Sequence, residues 1–344
     1  MTLLRVSFLL VALMLLSGCG KEPLYQEQGY VFGTLVEVSV YDEPEPEARQ
    51  AVAAVMHEFQ RLHDMLHAWK PSELSALNAA FAVGNSRQVS PELAAILQDA
   101  AQLSAQSQGL FNPAIGGLIR LWGFQADEFK AVLPDQKKVA ALVAQDPQMS
   151  DIVLHDDVAS SRNRAVQLDL GGYAKGYALD RAAALLRQMG VHNALINIGG
   201  NVLALGSHGS RPWRVGIQHP RKPGPFATVE LHDGEAIGTS GDYQRYFELN
   251  GKRYCHLIDP RSGQPVQGVE AVTILTHGAH AGTLSDAASK PLFISGVAGW
   301  RAAATRMGLG EALLIDGSGR VHLTTAMQKR LEFTDKTVRS EVEP

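Results

Sequence analysis

Gly171-Gly172 marks the point where the local pattern of this chain changes period. The four residues before it, Gln167-Leu168-Asp169-Leu170, alternate as a strand does. The residues after it, from Tyr173 to Met189, read as a helix that stops at Gly190. A second strand, Ala194-Leu195-Ile196-Asn197-Ile198, follows and ends at Gly199-Gly200. A strand–helix–strand unit requires a fold that packs helices on sheet. Glycine carries no side chain, so a ligand can approach the turn closely. The first N–H groups of the new helix suit phosphate. The residues alone leave this open, because glycine at a strand–helix turn is also common in ordinary units. Two phosphate loops are excluded. The turn lacks the G-x-G-x-x-G spacing of a dinucleotide fingerprint, and Gly176 is followed by Tyr177 rather than by the Lys-Ser/Thr of a P-loop.

The rest of the chain extends the same mixture. Tyr30 to Tyr41 alternates as a strand. Pro44-Glu45-Pro46-Glu47 opens a helix with Val52, Val55, Met56, Phe59, Leu62 and Leu66 on one face. Ser90-Pro91 predicts a cap and first turn, with Leu93, Ile96, Leu97, Ala100 and Leu103 facing the core and Gly109 closing the helix. Pro134-Asp135 starts another helix, to about Ala144. From Trp213 onward strands dominate. Asp233-Gly234 and Asn250-Gly251 are hairpin signals. The second joins Tyr246-Phe247-Glu248-Leu249 to Arg253-Tyr254-Cys255-His256-Leu257-Ile258, with Tyr254, His256 and Ile258 on one face. Asp316-Gly317-Ser318-Gly319 turns the last hairpin. Thr283-Leu284-Ser285-Asp286 predicts a capping box, and Pro291 predicts a kink in the helix that follows. The pattern is α+β, with mixed sheets and helices packed on them.

The ends of the chain read differently. Residues 1–18 pair Arg5 with a short apolar core from Phe8 to Leu16, the composition of an export signal and too short for a permanent span. Leu16-Ser17-Gly18-Cys19 resembles a bacterial lipobox, so Cys19 is the expected lipidated residue. Residues 19–28 read as a polar tether, 29–334 as the folded domain, and 335–344 as a loose, charged tail. The expected location is the bacterial periplasm, anchored by lipid to the inner or outer membrane. Gly20 after the cysteine leans toward the outer membrane. Only Cys255 remains beyond Cys19, so the mature chain has no internal disulfide. A net charge of −4 without a Lys/Arg run excludes nucleic acid as an expected partner.

Several segments, in order from Tyr30 to Leu314, resemble the ApbE family of flavin transferases. The glycine turn at residues 167–180 is one. Val31-Phe32-Gly33-Thr34 looks like the family's first-strand element. His67 to Leu74 with Asn78, and Gly109 to Gly116 with Leu121-Trp122-Gly123-Phe124, look like two more. Thr239-Ser240-Gly241-Asp242-Tyr243, His256-Leu257-Ile258-Asp259-Pro260-Arg261-Ser262-Gly263 and Asp286-Ala287-Ala288-Ser289-Lys290 complete the set. The resemblance implies a two-lobed, T-fold-like architecture with largely antiparallel sheets and a ligand cleft between the lobes.

It also implies a reaction. A Thr or Ser hydroxyl of a partner protein attacks the FMN-side phosphorus of FAD, and AMP leaves. The expected acceptors are Thr-bearing subunits of membrane redox complexes. His256 is the implied base, with Asp259 placed to orient it. An imidazole titrating near pH ~6.5 accepts a proton at neutral pH. By its residues alone His256 is equally well a strand histidine bonded to backbone. Phe32, Trp69, Leu110, Phe111, Asn112, Asp169, Lys175 and Ile258 are the implied FAD contacts. Asp286 and a backbone carbonyl at Gly172 are the implied Mg²⁺ ligands, with Ser289 as a further hydroxyl. Lys290 stands where the family has Thr. A protonated lysine is no metal ligand, so either its ammonium takes over from Mg²⁺ or it weakens the ion. Asn112 and Ala114 also replace an acid and a hydroxyl residue. Two rivals therefore stand beside transfer: an FAD pyrophosphatase using water, and a lipoprotein that holds FAD without reacting. A third is a lipoprotein that binds no cofactor.

Overall fold

The computed structural model describes residues 23–126, 128–335 and 337–343. The export signal and Cys19 lie outside the described residues. Among the described residues no helix is long and apolar enough to cross a membrane.

A nine-stranded sheet runs through the molecule. Its strands, labelled along the sheet, are β1 (Leu24–Val31), β2 (Thr34–Tyr41), β3 (Ala194–Ile198), β4 (Asn201–Leu205), β5 (Ala236–Gly241), β6 (Val269–Thr276), β7 (Glu311–Asp316), β8 (Val321–Thr324) and β9 (Ser340–Glu343). Sheet order equals chain order, and pairing is antiparallel except that β9 lies parallel to β8. The expected α+β class with largely antiparallel sheets is the one observed.

Two-residue periodicity sorts the side chains between the two faces. Val36, Val38, Val40, Ile196, Ile198, Leu203 and Leu205 pack against the helix Glu45–Leu66 and the helix Ala174–Gln188. Further along the same face, Val272, Ile274, Ala312 and Leu314 meet Phe293 and Trp300 of the helix Ser289–Arg306. The other face carries Val202, Ala204, Ile237, Ala271, Leu275, Leu313 and Ile315. A small sheet of Trp213–Gln218, Pro225–Leu231 and Leu331–Phe333 covers them.

Local signals were reliable where the chain alone decides. Ser90 Oγ accepts from Leu93 N at 3.2 Å to cap Pro91–Gln106, and Asp135 caps Gln136–Gln145. Asn250 and Gly251 both take positive φ (52° and 72°), which closes the hairpin between Tyr246–Leu249 and Lys252–Cys255. The turn at Asp316 joins β7 to β8 as expected.

Several expectations fail. Tyr30 to Tyr41 is not one strand: Phe32 and Gly33, at φ 56° and 70°, reverse the chain between β1 and β2. The tether is shorter than residues 19–28, because Leu24–Val31 pairs along its whole length with β2. Its outward side chains are polar, and so it reads as linker. The tail is not loose throughout, since Ser340–Glu343 adds β9. Asp233-Gly234 turns the chain from the small sheet into β5 rather than closing a hairpin within one sheet. The helix expected to kink at Pro291 is interrupted one turn before it. The helix Ala281–Ala287 ends at Ala288, and Pro291 falls in the first turn of the next helix, where its missing N–H costs little. The non-helical residue in that second helix is Gly296.

Candidate functional site

The segment before the glycine turn is extended but is not a ladder strand. Only Gln167 forms a bridge, to Ile115. It is held instead by side chain and loop. Asn78, buried on the helix Glu73–Val83, donates Nδ2–H to the Leu168 carbonyl at 2.9 Å and accepts from the Leu168 N–H at 2.7 Å. Asp169 N donates to the Pro113 carbonyl at 2.8 Å. Asn78 thus acts on the turn from 90 residues away, a role that the sequence did not assign.

The helix after the turn begins at Ala174, and several amides around the turn already have protein acceptors. Gly171 N–H donates to Asp169 Oδ1 at 2.8 Å, and those of Tyr173 and Ala174 donate to the Leu170 carbonyl. Gly176 N–H donates to Asp286 Oδ2 at 3.1 Å. Four of the amides around the turn are thus committed to protein acceptors. Asp169 serves as a turn residue.

The helices Ala174–Gln188 and Ala281–Ala287 cross at two glycines. A Cβ on Gly176 would lie 2.3 Å from the Gly282 carbonyl oxygen, and one on Gly282 would lie 2.5 Å from that of Gly176. Gly238 of β5 leaves the same kind of space for Ser285. Asp180 ties the crossing by accepting from Gly282 N, Thr283 N and Thr283 Oγ1, at 2.7–2.8 Å. The expected capping box within 283–286 does not form. Asp180 reaches these donors from the neighbouring helix instead, and burial pushes its carboxyl up against their pull.

Asp286 is thereby brought beneath the turn, 2% exposed. Lys290 Nζ contacts its Oδ1 and donates to its backbone carbonyl at 2.6 Å. Lys175 Nζ lies 3.4 Å from the same Oδ1 and 3.1 Å from the Gly171 carbonyl. Burial alone would push the Asp286 carboxyl up. The two ammonium groups, the Lys290 hydrogen bond and the Gly176 amide overcome it and hold the group well below the usual carboxylate range. Burial pushes Lys290 down to about 8 against the pull of Asp286. The arm of Lys290 lies against Gly172, where a Cβ would come within 3.1 Å of its Cε. Ser289 is buried, donating to the Asp286 carbonyl at 2.8 Å and sharing a hydrogen bond of 2.7 Å with Ser240 Oγ.

His256 arrives from a separate cluster of aromatic rings. Trp122, Phe124, Phe247 and Tyr254 stack at 5.1–6.5 Å between centroids, and Trp122 Nε1 donates to the Gly263 carbonyl at 2.8 Å. The expected single strand through His256 ends at Cys255, and Ile258–Asp259 pairs separately with Gln264–Pro265. His256 sits between the two, its ring edge toward Phe124. The Arg245 carbonyl lies 3.2 Å from Nδ1. A carbonyl only accepts, so Nδ1 carries the proton and Nε2 keeps its lone pair. Burial pushes the imidazole down to about 3. The Arg245 charge adds to this, its carbonyl opposes it, and Lys175 and Lys290 are near enough to push the same way. Asp259 does not orient His256. Its carboxylate is taken by the Arg261 guanidinium at 2.8–3.2 Å. Orientation comes from the Arg245 backbone, and the Arg245 guanidinium is itself fixed on the Phe124 carbonyl at 2.6 Å.

The expected FAD contacts come from several segments. Trp69 lines a cavity of about 700 Å³, together with Lys70, Asn78, Arg120, Arg164 and Gln167. Phe32 turns its ring onto Phe59 and His63 at the tip of the first hairpin. Leu110, Phe111 and Ile258 are buried, the latter two within hydrophobic clusters. Asn112 spends its amide on the Pro147 carbonyl at 2.9 Å and its oxygen on the Ala114 N–H at 3.0 Å, so it braces the loop beside Gln167. Cys255 is buried, as expected of a small apolar side chain.

His256 thus keeps one lone pair, and the corner at Asp286 carries two ammonium groups. The chain belongs to the ApbE family, whose model matches residues 32–314. The FAD:protein FMN transferase of Rhodobacter capsulatus is 45% identical over 313 residues, covering 91% of this chain and 59% of that protein. The transferase of the same name from Treponema pallidum is 31% identical over 353 residues and 96% of each chain. Among solved structures, the ApbE protein of Thermotoga maritima matches with a TM-score of 0.81 and 27% identity, over 89% of this chain and 99% of its own. The apo flavinyl transferase ApbE of Pseudomonas stutzeri gives 0.76 and 28%, over 90% and 98%.

Proposed function

We propose that this chain transfers FMN from FAD to a Thr or Ser hydroxyl of a partner protein. The hydroxyl oxygen attacks the FMN-side phosphorus, a new O–P bond forms, the bridging P–O bond breaks, and AMP leaves. His256 Nε2 takes the hydroxyl proton. Lys175 and Lys290 face the diphosphate and offset the charge that gathers on its oxygens. The observation that carries this reading is the 3.2 Å contact of His256 Nδ1 with the Arg245 carbonyl, which leaves Nε2 as the accepting nitrogen. The Arg245 carbonyl fixes the proton on Nδ1, and burial keeps the ring neutral, so the base is ready at physiological pH. The match to FAD:protein FMN transferases supports the choice of substrate.

Mg²⁺ does not fit this corner as built. Asp286 is its one carboxylate, and both of its oxygens already face donors. No step is therefore routed through the ion. The acceptor is read as a Thr-bearing loop on a membrane redox subunit, and the protein as a periplasmic lipoprotein anchored at Cys19. Mass spectrometry after incubation with FAD and an acceptor domain tests the activity. The expected result is a gain of one FMN on the acceptor. AMP with free FMN and no adduct would favour the hydrolase, and retained FAD with no AMP a binding protein. His256→Ala should slow single-turnover transfer by about 10²–10⁴ without weakening FAD binding. A full rate in that variant would remove His256 from the mechanism.

A further inference from the structure

We propose that Lys290, with Lys175 beside it, replaces a divalent cation at the FAD diphosphate, so that this chain binds its substrate without metal. The inference rests on the FAD reading above and adds to it the identity of the counter-charge. Three observations on the same corner carry it.

The first is saturation. Asp286 Oδ1 faces the ammonium groups of Lys290 and Lys175, and Oδ2 accepts from Gly176 N–H. The Asp286 carbonyl accepts from Lys290 Nζ and Ser289 Oγ, and the Gly171 carbonyl from Lys175 Nζ. Mg²⁺ demands near-octahedral oxygen at about 2.0–2.1 Å. Here the Asp286 oxygens and the Gly171 carbonyl already meet N–H and O–H donors, and the expected Gly172 carbonyl alone does not make a Mg²⁺ site.

The second is the sign of the charge. One carboxylate against two ammonium groups leaves the corner with an excess positive charge. A cage for a divalent cation needs the opposite sign, whereas a diphosphate needs this one.

The third is position. The arm of Lys290 lies along Gly172, on the turn itself. The amides of Gly171, Tyr173, Ala174 and Gly176 are committed to protein acceptors, so at these positions the lysines, not backbone donors, carry the attraction for an anion. Asp286 then acts as a positioning residue, holding two cations together that would otherwise repel each other.

Flavin fluorescence titrations of the whole protein with FAD, in EDTA and then in excess Mg²⁺, test the proposal. The native affinity should differ by less than about twofold between the two conditions. Lys290→Thr should lose about tenfold or more in EDTA, the scale of a charge-assisted contact, and recover with Mg²⁺. Calorimetric titration of Mg²⁺ into the FAD-loaded proteins should register binding only in the variant. Native affinity that rises about tenfold with Mg²⁺ would overturn the proposal even if the variant failed to fold. So would a folded Lys290→Thr that binds FAD undiminished in EDTA. Failure of the native protein to bind FAD under either condition would instead sink the functional reading beneath it.

Discussion

Asp286 is buried and His256 half-buried, and their charges respond in opposite ways. His256 lies among aromatic rings, with a guanidinium and two ammonium groups as its charged neighbours, so burial strips its proton. Asp286 is buried more deeply yet stays ionised, because those same two lysines sit on its oxygen. Burial sets the cost of a charge, and the sign of the neighbours decides whether it is kept. Two lysines thus do two jobs. They hold a carboxylate charged, and they add a minor push to the burial that keeps an imidazole neutral.

The largest test of that contrast removes the shared charge. Asp286→Asn should destabilise the protein by about 3–5 kcal/mol, since it leaves two ammonium groups crowded and unpaired. Chemical denaturation measures this, and a loss below about 1 kcal/mol would mean that the lysines are solvated and do not depend on Asp286. Gly176→Ala is next. Its Cβ would collide with the Gly282 backbone, where no flexible side chain can yield. The expected cost is about 1–3 kcal/mol, with FAD affinity falling as Asp286 is displaced from the turn. A variant of native stability would show that the two helices can separate freely.

The smallest effect concerns pH. With a folded pKa pushed down to about 3, His256 stays unprotonated across the neutral range. Its unfolded counterpart titrates near pH ~6.5, so the unfolded chain binds more protons as pH falls below that value. This group's contribution to stability is present above the unfolded value and declines as pH drops toward the folded one. Transfer should correspondingly show no inflection near pH ~6.5 from His256. A rate that halves there would mean that the imidazole is more solvated than its aromatic setting implies.

What could be read in advance follows the range of the interactions. The order of motifs announced the family, and Ser90, Asp135 and Asn250-Gly251 announced caps and a turn, because each acts within a few residues. The Asp286–Lys290 contact was legible for the same reason, as a spacing of four on a helix. The partner of His256 was not. Sequence proximity suggested Asp259, but that carboxylate turned to Arg261 two residues on, and the orienting group proved to be a backbone carbonyl across the hairpin.

The amino-acid sequence by itself settled which residue types were available: one imidazole, one carboxylate and two lysines around a glycine turn, on an α+β frame. Only the tertiary structure decided what they do. Asn78 holding Leu168, two glycines letting helices cross, and Asp180 capping a neighbouring helix all join segments far apart in the chain. A local pattern records the conformation of the backbone. The charge state of a buried group is set by neighbours that the fold alone brings to it.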